Sequence, residues 1–191
     1  VIEYEKTESI IVEFQDKYKA RVVVKYNEFA KGKVKNPYYP NIYGGMIGNK
    51  YPAKVNGKIS KEYYIWKNML VKCFKTQELT CCSEWKLFEN FYEWLHKQEN
   101  IEKFLKGKRW ALCKDIAEDN IYSPNTCYLV PPKVNKLFEK QDLNMDVPER
   151  VLQEYIKHKE NKIKKVAQEE FAKGNIVEEC YKALMVYKIQ I

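Results

Sequence analysis

Residues 111–138, ALCKDIAEDNIYSPNTCYLVPPKVNKLF, hold most of the side chains in this chain that could do chemistry together. Asp115 brings a carboxylate, Cys113 and Cys127 bring thiols, and Lys114 brings an ammonium. Trp110 to Ile116 is apolar and of strand length, Asp119 and Asn120 have turn chemistry, and Cys127 to Val130 is a second apolar run. Pro131 and Pro132 stop the second strand, and Pro132 suits the first turn of a helix with Val134, Leu137 and Phe138 on one face. A strand, turn, strand and helix can hold a divalent metal that stabilises the leaving oxygen of a phosphodiester while a histidine activates water. The segment has no histidine. Lys114 at its ordinary pKa is an ammonium, which grips phosphate and deprotonates water only if strongly desolvated. The chain's two histidines, His96 and His158, fall in helical patterns outside the segment and read as capping or solvated residues. Efficient hydrolysis is not expected, and residual nicking would have to work through Asp115 and a metal.

The thiols support a different metal reading. Cys73, Cys81, Cys82, Cys113, Cys127 and Cys180 lack the Cys-x-x-Cys pairs that mark structural zinc, and the bland reading is six small buried hydrophobes. Against it, Cys113 and Cys127 are expected to face each other across the hairpin, and with Cys82 and Cys73 nearby they would make a zinc or soft-metal site.

Several elements must position this segment. Tyr63, Trp66, Leu70 and Cys73 recur at helical spacing, as do Trp85, Phe88, Tyr92 and Leu95, with Ser83 and Glu84 as a start signal for the second helix. These stripes read as core. Val1 to Tyr4, Ile10 to Phe14 and Ala20 to Lys25 read as a small antiparallel sheet with a turn at Gln15 to Lys17. Lys31, Lys33 and Lys35 alternate with Gly32 and Val34, so an extended chain there puts three lysines on one face, as a phosphate-binding strip or a protected edge. Pro, Gly, Asn and Tyr dominate residues 36–60, predicting an irregular linker whose Tyr38, Tyr39, Tyr43 and Tyr51 suit a partner contact. Leu152, Ile156, Ile163, Val166, Ala167 and Phe171 form the apolar face of a long helix, with Lys157, Lys159, Lys162, Lys164 and Lys165 as its basic sector. Gly174 and Asn175 stop it, a short helix runs through Ala183, and Val186 to Ile191 reads as a last strand.

The run YSPNTCYLVPPKVNKLF resembles the ββα-metal core of phage HNH homing-endonuclease-like proteins, through Tyr122, Ser123, Pro124, Asn125, Thr126, Cys127, Val130, Pro131, Val134 and Asn135. KEYYIWKNMLVKCF, CCSEWKLFENFYEWLHK and FAKGKVKNPYYPNIYGGMIG are similar to further blocks of the same family. The resemblance implies that Cys113 replaces a metal-binding Asp, Lys114 the general-base His and Thr126 the motif's middle Asn, leaving Asn135 in register with a motif polar residue. It also implies that residues 151–191 correspond to the last helix and tail of an ethylene-response-factor-type DNA-binding domain. The dozen residues between Phe138 and Val151 are too few for that domain's three-stranded reading sheet.

The expected class is α+β: an N-terminal β module over 1–35, the linker over 36–60, central helices with the HNH-like ββα unit over 61–140, and a C-terminal helical remnant over 148–191. The 191 residues carry a formal net charge of +8, which favours phosphate backbones or an anionic protein surface, and contain no apolar run of membrane-spanning length. Two function classes follow. One is a catalytically inactive DNA-binding protein using Lys31, Lys33, Lys35, Lys114, Lys133, Lys136, Lys157, Lys162, Lys164 and Lys165. The other is a repurposed inhibitor of a host defence protein, such as a CRISPR nuclease, binding by protein contact. No secretory leader is visible, so a cytoplasmic protein is expected, and the resemblance places it in an infected bacterial host.

Overall fold

Alternating β-branched residues at the N-terminus form the expected sheet. The computed structural model describes residues 1–40, 43–138 and 148–189. Strands β1 (Glu3–Lys6), β2 (Ser9–Glu13) and β3 (Arg21–Val24) pair antiparallel in the order β1-β2-β3, with Ile10 opposite Val24 and Val12 opposite Val22. Ile10 and Val12 point to the buried face. The β2–β3 turn is set by Asp16, whose carboxylate accepts from the Tyr18 and Lys19 amides and from Asn36 Nδ2 at 2.6 Å. A short helix, α1 (Tyr26–Ala30), follows.

Within the expected linker, several of the described tyrosines and glycines meet core surface. Tyr18 and Tyr38 stack with ring centroids 4.4 Å apart, and Tyr43, Ile47 and Tyr51 pack against the main core. Gly45 lies so close to helix α2 (Lys61–Lys75) that a Cβ there would sit 2.3 Å from Leu70 Cδ1. Strands β4 (Lys54–Val55) and β5 (Lys58–Ile59) close a hairpin around Asn56 and Gly57, both at positive φ, as an Asn-Gly pair between short strands favours.

Ser60 caps α2 by accepting from the Tyr63 amide at 3.2 Å. After β6 (Thr80–Cys81) comes a 3-10 turn over Glu84–Lys86, then α3 (Phe88–His96) and α4 (Ile101–Lys106). Ser83 does not cap: its backbone is already helical, and α3 begins only after Leu87 turns extended. The break lets Met46 pair alongside, its amide donating to Lys86 O at 2.7 Å and its carbonyl accepting from the Phe88 amide at 2.9 Å. Trp66, Met69, Leu70, Trp85, Phe88, Phe91, Leu95 and Phe104 fill the resulting aromatic core.

The remaining elements are β7 (Ala111–Cys113), β8 (Ile121–Tyr122), β9 (Tyr128–Val130), α5 (Pro132–Asn135) with a 3-10 extension over Lys136–Phe138, α6 (Glu149–Ala172) and α7 (Glu178–Val186). β7 and β9 pair antiparallel, while β8 joins β6 in parallel. Leu112 and Leu129 face the aromatic core, whereas Cys113 and Val130 face a second core built with Val134, Ile163, Ala167, Ile176, Cys180 and Leu184. The expected terminal strand is replaced by the end of α7, after which the Lys188 ammonium and the Ile189 amide both bond to Glu160 of α6. Residues 190 and 191 of that expected strand, and residues 139 and 140 of the expected ββα range, lie outside the described residues. The architecture is α+β.

Candidate nucleic-acid interface

β7, β9 and α5 follow in the expected strand, strand, helix order, but β8 intervenes between the two strands and pairs with β6. Pro131 is extended (φ −69°, ψ 161°), Pro132 opens α5, and Val134 and Leu137 turn inward beside Val130. β7 is shorter than expected, ending at Cys113, because Asp115 to Ala117 coil into a 3-10 turn closed by Glu118 at φ 55°. The loop before β9 is held by Thr126, whose Oγ1 donates to Ile121 O at 2.5 Å and accepts from the Ser123 amide at 3.1 Å. Thr126 thus serves loop closure, a role its position in the resemblance does not suggest.

Lys114 is drawn into the interior. Its side chain is 11% exposed and its ammonium lies 2.9 Å from Asp115 Oδ1, while Asp115 remains half exposed. The ammonium expected to grip a phosphate is therefore engaged with a carboxylate one residue away. Asn135 is half-buried at the end of α5.

Cys113 does not face Cys127. Cys113 is opposite Tyr128 in the ladder, and Cys127, one residue earlier, projects to the other side of the hairpin. Cys73 and Cys82 pack beside the aromatic core with Cys127, so the four thiols are split between two cores. Among the described residues, no three His, Cys, Asp or Glu side chains group as a metal site. Burial pushes the Cys113 thiol up to about 12, helped by the Asp115 charge, and burial also pushes Cys127 up to about 12. Both are protonated at neutral pH, consistent with the small-hydrophobe reading.

The basic side chains converge elsewhere. Lys133, Lys136 and Leu137 on α5 and its extension face Tyr155, His158, Lys159, Lys162 and Val166 on α6 across a groove of about 300 Å³. Lys133 reaches the groove while paired with Glu169, and Lys159 Nζ lies 5.9 Å from the Tyr155 ring centroid. Lys157 and Lys164, five residues before and two after Lys162, fall on the far side of α6 at 3.6 residues per turn, while Lys165 flanks the groove. Lys159, a member of the expected basic sector, belongs to the groove with Lys162, and so does His158, which reads from sequence as a solvated residue; its i, i+4 relation to Lys162 was the available signal.

The N-terminal lysines are all exposed but do not share one extended strand. Lys31 caps α1 at φ −87° and ψ 3°, and the Lys33 amide returns to Glu28 O at 2.9 Å. Of the four tyrosines expected to meet a partner, Tyr39 is 76% exposed, whereas Tyr38, Tyr43 and Tyr51 engage Tyr18, Phe74 and Tyr92 within the protein.

The residue that organises this segment was missed by sequence reasoning. Glu89 on α3 is 8% exposed, and its Oε1 accepts from the Asn49 amide at 2.8 Å and the Lys50 amide at 2.7 Å. The Tyr38 hydroxyl donates to the same carboxylate at 3.1 Å. Burial and then that carboxylate hold the Tyr38 hydroxyl above its ordinary pKa. No protein-family model, curated protein or solved structure matches the chain.

Proposed function

We propose that this protein binds nucleic acid through its phosphate backbone and does not cleave it. The observation that carries the reading is the groove between α5 and α6, where Lys133, Lys136, Lys159 and Lys162 come from two separate elements to line one depression. Glu169 neutralises Lys133, which leaves the ammonium groups of Lys136, Lys159 and Lys162 in the depression to attract a polyanion that releases its counterions on contact. The +8 charge of the chain adds a long-range field of the same sign. Absence of cleavage is supported by Lys114: at the position the resemblance gives to the general base stands an ammonium, which has no lone pair to accept a proton, paired with Asp115.

Fluorescence anisotropy with duplex DNA, single-stranded DNA and RNA across a salt series tests the reading. Replacing both Lys136 and Lys162 by Ala should lower the magnitude of the log K against log salt slope for duplex by about 1.8, since each phosphate contact contributes about 0.9. An unchanged slope refutes the groove as the contact. With magnesium or manganese, neither the native protein nor Asp115→Ala should nick plasmid DNA.

The alternative function, inhibition of a host defence protein, would draw on the exposed Tyr39 and the N-terminal lysines rather than on the groove. Pull-down from defence-bearing cells that yields a stoichiometric partner, together with no binding to any nucleic acid at low salt, would favour it.

A further inference from the structure

A second depression lies on the other side of the β7–β9 hairpin, between α2 and β7, with a volume of about 280 Å³. Tyr64, Asn68 and Lys72 line it from α2, and Arg109, Trp110 and Tyr122 complete it. Tyr64, Asn68 and Lys72 are spaced i, i+4 and i+8, so an aromatic ring, an amide and an ammonium follow one another along one helix face. Tyr64 is 56% exposed, an open ring on a helix whose opposite face buries Trp66 and Leu70, with buried Met69 at the edge of the pocket. Arg109 stands at φ 59°, a left-handed conformation that glycine adopts without cost and arginine does not.

From this order of groups we infer that the α2–β7 pocket holds one nucleoside monophosphate unit, either free or as an unpaired nucleotide of a single strand. A base has a π-face for Tyr64 and an edge of donors and acceptors for Asn68, and its phosphate has the Lys72 ammonium to meet, with the Arg109 guanidinium a second cation on the facing wall. Duplex bases are already stacked and paired, so the pocket takes an unpaired one. The ligand class rests on the nucleic-acid reading above, but the site is separate from the α5–α6 groove.

The test uses the whole protein, labelled with nitrogen-15, titrated with adenosine monophosphate, adenosine, inorganic phosphate and a short oligodeoxyadenylate. Resonances of Tyr64, Asn68, Arg109 and the Trp110 indole should shift with the monophosphate and the oligonucleotide, and adenosine or phosphate alone should bind at least about ten-fold more weakly. Arg109→Gly keeps the backbone conformation and should fold at least as well, yet weaken the monophosphate about ten-fold; Tyr64→Ala, at an exposed position, should do the same. The mononucleotide compared with the oligonucleotide separates a free-nucleotide site from a strand site. Equal affinity of Arg109→Gly and native protein, or no shift at the pocket with either nucleotide, overturns the inference. The Lys136→Ala, Lys162→Ala variant distinguishes the two proposals: it should lose duplex binding while the pocket still takes the monophosphate. Loss of both in that variant overturns a separate site.

Discussion

Replacing Glu89 by Ala removes the acceptor that fastens Tyr38, Asn49 and Lys50 to α3. Two backbone amides, Asn49 and Lys50, and the Tyr38 hydroxyl lose their partner together. A buried donor left unpaired costs about 1–3 kcal/mol; Asn49 and Lys50 lie at the surface, where water partly compensates, so about 1 kcal/mol for each of the three groups gives roughly 3 kcal/mol. For a chain of this size that corresponds to a fall in melting temperature of roughly 6–12 °C. Glu89→Gln is the informative control. Both amides bond to the same oxygen, Oε1, which glutamine keeps as a carbonyl, so the loss should be only about 1 kcal/mol. Thermal unfolding by circular dichroism reads the two stabilities, and amide exchange at Asn49 and Lys50 reads the location. A fall of less than about 2 °C for Glu89→Ala, with protection at those amides unchanged, refutes the assignment of Glu89 as the fastener.

Three further outcomes are expected. Asn100 donates from Nδ2 to Leu129 O and Asn175 O, both at 3.0 Å, so Asn100→Ala should cost about 2 kcal/mol in urea unfolding; a change below about 0.5 kcal/mol would show that neither carbonyl depends on it. Iodoacetamide at pH 8 followed by mass spectrometry should leave Cys113, Cys127 and Cys180 unmodified in the folded protein, because burial raises each thiol; rapid native labelling of Cys113 would contradict its enclosure. For Glu170, burial pushes the carboxyl up, but hydrogen bonds from Asn175 and Lys173 outweigh it and hold the pKa below the ordinary 4.5. A depressed native pKa gives stability that is present above 4.5 and lost as pH falls through the native value, so Glu170→Gln should flatten the acid limb of the stability profile, and an identical limb would remove Glu170 from it.

Much of the fold was readable because its signals are local. Apolar alternation marks β2 and β3, the helical stripe of Trp66 and Leu70 marks α2, and the two prolines mark the change from β9 to α5. What escaped reading depends on contacts between distant residues. Leu87 breaks a helical pattern because Met46 pairs beside it, and Tyr38, Asn49 and Lys50 are held by Glu89, forty residues on from Asn49. Val186 to Ile191 has strand composition, yet α7 runs through Val186 and the next residues bond to Glu160 instead of to a strand. At the candidate site, the lysines of α5 and α6 were legible singly; that Lys133, Lys136, Lys159 and Lys162 share a groove follows from the packing of the two helices. Lys114 illustrates the opposite failure, since a lysine in sequence carries no mark of burial.

The β7–β9 hairpin bears on how faithfully the chain can fold. A pair of three-residue strands separated by a long, irregular excursion has few ladder bonds to fix its alignment. In most half-exposed sheets a slip of one residue exchanges a buried face for a wet one, and only that single face resists the error. Here the slip would expel Leu112 from among aromatic rings and Cys113 from among helical side chains at the same moment, and bring each into a space shaped for the other. Alignment is proofread from both sides. That double check relieves the exposed loop residues Ala117, Asn120 and Asn125 of any duty to hold the strands in step, so the sequence can change most there, while Ile116, Tyr122 and Cys127 of the same loop stay tied to the two cores.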